Sequence, residues 1–194
     1  MDFVSVLASC VLIVWVYMTG VYILSLLKRN VGIVDIAWGP GFAILAVASI
    51  MLGGTLYPRQ IIVTVLVCLW AARLGWHIFR RNSGKAEDWR YQNFRKNWGD
   101  SFVIKSYFAI FMTHGVFMII VALSFLWVNT TMDGTLMPLD VFGVLLWGLG
   151  FLFEAIGDFQ LSRFKSNPKN KGKIMKPGLW RYTRHPNYFG EVTV

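Results

Sequence analysis

The fold that this sequence predicts is all-α: a polytopic transmembrane helical bundle of about five complete spans plus the start of a sixth. Three observations predict it. Of the 194 residues, 56% are hydrophobic, above the roughly 45–50% usual in soluble domains. The apolar residues gather in runs, most of which reach the ~20 residues that a helix needs to cross ~30 Å of hydrocarbon. The cations behind the net charge of +9 collect in alternate connections between those runs. Lipid offers no water to backbone amides, so a helix, which pairs its own, is the economical way across.

The first run covers 3–27. It has no basic leading segment, exceeds the length of a signal-peptide core and is followed by Lys28 and Arg29. It therefore reads as a retained span, not a cleaved leader. The second run, 33–52, carries Asp35 near its start, and Gly39, Pro40 and Gly41 predict a broken or kinked helix. The third, 61–79, places Arg73 and His77 four apart on one face. The fourth, 102–128, contains His114, expected to be a packed polar residue. The fifth, 139–153, leads into Glu154 and Asp158, two carboxylates on one stripe. Ionised groups at that depth need a cationic or hydrogen-bonding partner and are functional candidates. The chain reads as a single integral membrane domain, 1–194, with two basic loops at 80–101 and 160–186.

Charge sets the expected orientation. Basic residues follow the first, third and fifth runs, whereas the other connections hold Arg59 in one case and no cation in the other. By the positive-inside rule the N-terminus lies outside and the basic loops are cytoplasmic, in a bacterial inner membrane or the endoplasmic reticulum. That explanation of the charge removes the reason to expect nucleic acid. Cys10 and Cys68 fall within spans and suggest no disulfide framework, and no cluster has metal-ligand spacing. The tripeptide at 129–131 fits a glycosylation sequon, with a chance match the favoured reading.

The basic segments are more than charge. "RRNSGKAEDWRYQNFRKNWGD" mixes aromatic rings with guanidiniums. Such a mixture can stack a planar ring and pair with phosphate, or lie folded on lipid headgroups. Trp89 and Arg90 are its candidates for cofactor contact. The second segment runs from Arg163 to Arg184, interrupted by Pro168, Pro177 and Gly178, and enters "RHPNYFGE". Pro186 suits the first turn of a helix. A helix starting there turns its free amides toward Arg181, Arg184 and His185, which is an anion site by construction. Asn187 and Glu191, four apart, share a face of that helix.

"NVGIVDIAWGPGF", "RLGWHIFRRNSGKAEDWRY" and "GKIMKPGLWRYTRHPNYFGE" together resemble the bacterial-type membrane proteins of the steroid 5-alpha-reductase-like superfamily, once catalogued as DUF1295. The resemblance covers most of 30–191. It implies NADPH-dependent reduction of a carbon–carbon double bond conjugated to a carbonyl, in a lipophilic substrate arriving from the bilayer. It implies that Asn187 and Glu191 contact the nicotinamide end and that Asp158 serves the adenosine or ribose end. Glu154 stands where better-studied relatives have asparagine, and Lys165 where they have arginine. Arg163, Lys165, Arg181, Arg184 and His185 complete the expected cofactor-binding set. Glu191, Asp35 and Tyr188 are the candidate catalytic groups.

Two other readings share these residues. Membrane methyltransferases of the isoprenylcysteine and phospholipid type carry a similar "RHPxYxG" segment, which there helps to bind S-adenosylmethionine; "EDWRY" and "WGPGF" favour the reductase. The third is a non-catalytic lipid-binding protein. Related chains continue past this motif with further helices, so the ending at "GEVTV" is expected to mark a partial sequence.

Overall fold

The computed structural model describes residues 1–131 and 135–194. Among these there is no strand, and five helices are long and apolar enough to cross a membrane. The chain divides into two compact units, Met1–Thr135 and Leu136–Val194.

The first unit is built on α1 (Phe3–Leu27), α2 (Ile33–Gly53) and α3 (Pro58–Asn82). A long helical stretch follows: α4 (Trp89–Trp98), a 3-10 turn, α5 (Phe102–Ser106), a π-helical segment (Tyr107–Met112) and α6 (Thr113–Thr131). Val6, Cys10, Val14 and Met18, spaced by four, form the buried stripe of α1. That spacing keeps them on one helix face, and Val14 and Met18 close on Gly115 of α6. Phe42, Leu45, Phe111, Met118 and Leu126 complete the core, all at most 1% exposed.

Of the break or kink expected at Gly39–Gly41, the break is absent: α2 runs unbroken through Pro40. These small residues serve close packing instead. A Cβ on Gly39 would stand 2.5 Å from the Ala71 carbonyl of α3, and one on Gly75 would stand 3.1 Å from Pro40 Cδ. Small residues on both sides let the two backbones approach, as is common between membrane helices.

A buried polar knot ties the other end of these helices. Asn129 is wholly buried and donates to Ser49 Oγ at 2.9 Å, Thr64 Oγ1 at 3.2 Å and Ala46 O at 3.3 Å. Gln60 Nε2 donates to Asn129 O at 3.0 Å. The sequon at 129–131 is therefore a chance match, because its asparagine is a structural crosslink inside the bundle. His114 is packed as expected, its Nδ1–H donating to Ile110 O at 2.7 Å.

The second unit consists of α7 (Pro138–Ser166), two 3-10 turns (Pro168–Asn170 and Gly178–Arg181) and α8 (Pro186–Thr193). The fifth apolar run thus extends well beyond 153. Glu154 and Asp158 lie within α7, both buried, and Asp158 accepts from Asn187 of α8.

Candidate functional site

The two family-like blocks of the first unit meet at one place. Asp88 caps α4, accepting from Arg90 N at 2.9 Å and Arg90 Nε at 3.0 Å. The adjacent guanidinium holds the Asp88 carboxyl below its ordinary value. The capped helix turns Tyr91 inward, where its hydroxyl donates to Asp35 Oδ1 at 2.8 Å. Arg90 lies 3.7 Å from the other Asp35 oxygen. One turn before, Glu87 accepts from Val31 N at 2.8 Å and pairs with Arg95 at 3.1 Å.

Residues 80–101, expected as a loop, are therefore largely helical: Arg80 and Arg81 close α3, and α4 is docked on the start of α2 by two carboxylates. Arg90 is occupied by Asp88 and Asp35, while Trp89 faces outward, 69% exposed. Of the sequence candidates in this unit, Asp35 and Arg90 come together and Trp89 stands apart. Tyr91 was missed as the partner of Asp35. Its signal was the tyrosine within "EDWRY", but no local spacing connects it to a residue 56 positions earlier.

In the second unit α7 and α8 touch through backbone. Gly190 lies against Glu154 N and, at 2.5 Å for an added Cβ, Gly150 O. A Cβ on Gly157 would stand 3.0 Å from Asn187 N. Pro186 opens α8, as its missing N–H allows. Asn187 Nδ2 donates to Asp158 Oδ1 at 3.1 Å, so these two candidates are brought together. Glu154, 1% exposed, sits beneath Gly190. Asn187 Oδ1 is buried without a hydrogen-bond partner among the described residues. Glu191 and Tyr188 are exposed, and the Tyr188 ring stacks on His185 at 4.9 Å.

The segment between the helices folds back on α7. Trp180 Nε1 donates to Gly157 O at 3.1 Å, and Leu179 N donates to Gln160 Oε1 at 3.1 Å. Gly178 has φ +67, and Gln160 fills the space a side chain would need. This fold-back leaves an open cleft of about 890 Å³. Lys165, Lys171, Lys173, Lys176, Arg184 and His185 line it with Trp180 and Phe164, and no carboxylate does. Arg163 lines a neighbouring cleft of about 530 Å³, with Gln160 and Gly178. Arg181 is exposed in the second 3-10 turn and lines neither cleft. Of the lysines of the cleft, Lys165 was a sequence candidate, whereas Lys171, Lys173 and Lys176 were visible in the sequence only as charge.

Among the described residues no group of three or more His, Cys, Asp or Glu side chains is placed to hold a metal ion.

Comparison with known proteins adds three findings. Residues 21–194 match the model of a family described as "Protein of unknown function (DUF1295)". The Probable O-methyltransferase ustE of Ustilaginoidea virens is 39% identical over 46 residues, which are 24% of this chain and 16% of that relative. No solved structure matches.

Proposed function

The chain belongs to the DUF1295 family, and on that premise we propose a membrane-embedded, NADPH-dependent reductase. Its substrate class is a lipophilic, steroid-like molecule with a C=C bond conjugated to a carbonyl. The observation that carries this reading is the cleft of the second unit, lined by five cations and His185 without one carboxylate. Its volume lies within the ~300–1,000 Å³ typical of small-molecule sites. Such a lining favours a ligand bearing several phosphate charges.

Lys165, Lys171, Lys173, Lys176 and Arg184 would hold the phosphates, and Trp180 and His185 offer aromatic faces to a ring. When bound, NADPH supplies the hydride that adds to the β-carbon of the enone. The protein's part is to neutralise, orient and hold a proton. Asn187 is committed to Asp158, which fixes the start of α8. The exposed Tyr188 hydroxyl on that helix is the proposed proton donor to the reduced substrate, with Glu191 beside it as a second polar group. Asp35 is held by Tyr91 and Arg90 and acts as the anchor of α4.

A second reading is methyl transfer from S-adenosylmethionine to a lipophilic acceptor. The short match to a probable O-methyltransferase favours it. Against it, a sulfonium cation gains nothing from a cleft lined by cations.

Equilibrium dialysis of the detergent-solubilised chain against NADPH, NADH and S-adenosylmethionine tests the choice. The expected result is NADPH retention that is weakened by the triple substitution K171Q/K173Q/K176Q. Retention of S-adenosylmethionine alone overturns the reductase in favour of methyl transfer, and retention of none of the three overturns both.

A further inference from the structure

We propose that the α3–α4 end of the first unit is a binding surface for anionic phospholipid headgroups, distinct from any nucleotide site. The cations of this region fall into two groups. Arg90 and Arg95 are neutralised within the fold by Asp35, Asp88 and Glu87. Arg80, Arg81, Lys85 and Lys96 are exposed, and none of them forms an ion pair among the described residues. Asp35, Asp88 and Glu87 are taken up by Arg90 and Arg95, and Asp100 is the one further carboxylate in 80–101, so four exposed cations against it leave the outward face of this end with a net positive charge.

Position decides what meets that charge. Arg80 and Arg81 are in the last turn of α3, a helix long and apolar enough to cross a membrane. The layer just beyond such a helix end is the headgroup region, where Lys and Arg are attracted to an anionic leaflet. Trp89, 69% exposed at the start of α4, adds a large ring with a polar edge, the kind of side chain that settles at the boundary of headgroups and hydrocarbon. An apolar ring at the start of α4 and exposed cations at the end of α3, in the connection and on α4 match a phospholipid, which offers acyl chain and phosphate together. Free phosphate matches only half of that.

The test uses the full chain in liposomes of phosphatidylcholine with an equal mole fraction of either brominated phosphatidylglycerol or brominated phosphatidylcholine. Trp89 quenching is read as the difference between the wild type and Trp89→Phe. The proposal expects Trp89 to be quenched several-fold more strongly by the brominated anionic lipid. The preference should vanish in R80Q/R81Q/K85Q/K96Q and persist in R80K/R81K, with helicity by circular dichroism confirming that both fold. It should weaken with salt and survive millimolar pyrophosphate. Equal quenching by the two lipids overturns the proposal. So does a preference abolished by pyrophosphate, which would mean a site for free phosphate instead of a membrane surface.

Discussion

Asn187 of α8 donates its side-chain amide to Asp158 of α7 at 3.1 Å, three residues before Gly190 meets the Glu154 backbone. The hydrogen bond sets the register of α8, and the glycine sets its distance from α7.

Gly190→Ala should therefore destabilise the second unit. The methyl group would strike backbone atoms of Gly150 and Glu154, which cannot rotate away as a flexible side-chain end can. Overpacking of this kind costs about 1–3 kcal/mol. Gly148→Ala is the control, since nothing lies within 4 Å of its added Cβ. An alanine there should be neutral or stabilise by up to about 1 kcal/mol through helix propensity. Thermal unfolding of both variants in detergent checks the contrast, and equal melting temperatures would contradict it.

Tyr91→Phe should loosen α4 from α2. The substitution keeps the buried ring and removes the hydroxyl that donates to Asp35 Oδ1. Losing a hydrogen bond to a charged, part-buried carboxylate costs about 1.5–3 kcal/mol. Hydrogen exchange of the α4 amides measures it, with faster exchange expected there and unchanged protection in α1.

Asn129→Ala should cost about 2–3 kcal/mol, since several buried groups lose their shared donor at once. A chain expressed in a host that glycosylates should also show no mobility change on glycosidase treatment, because Asn129 is inaccessible in the folded bundle.

The cap of α4 should be lost in acid. The Asp88 carboxyl is held below its ordinary value by the Arg90 side-chain hydrogen bond first and its backbone N–H second. A depressed carboxylate contributes stability that is fully present above the unfolded value of about 4 and is lost as pH falls through the lower folded value. Amide exchange at Arg90 should therefore accelerate only below about pH 4, and Asp88→Asn should remove that pH dependence.

Much of this architecture was legible along the chain because its physical causes are local. Five apolar runs became five long helices, since hydrocarbon demands internal hydrogen bonding whatever the neighbours are. Pro186 opened a helix for reasons contained in its own ring. The misreadings share an opposite cause. Gly39, Pro40 and Gly41 read as a break or a kink; the helix is unbroken, and the close packing they allow depends on Ala71 and Gly75 of another helix. The segment 80–101 read as a loop, yet Tyr91 and Glu87 find their partners at Asp35 and Val31.

The sequence by itself determined five helical runs long and apolar enough to cross a membrane, with cations gathered in particular connections, because composition and periodicity act over one or two helical turns. Only the tertiary structure decided which charges are spent on the fold and which remain available. Asp35, Asp88 and Glu87 consume Arg90 and Arg95, whereas the fold-back of Trp180 onto Gly157 gathers Lys165, Lys171, Lys173, Lys176 and Arg184 around one cleft. Coulomb interactions depend on distance in space, and residues far apart in sequence acquire a distance only when the chain has folded.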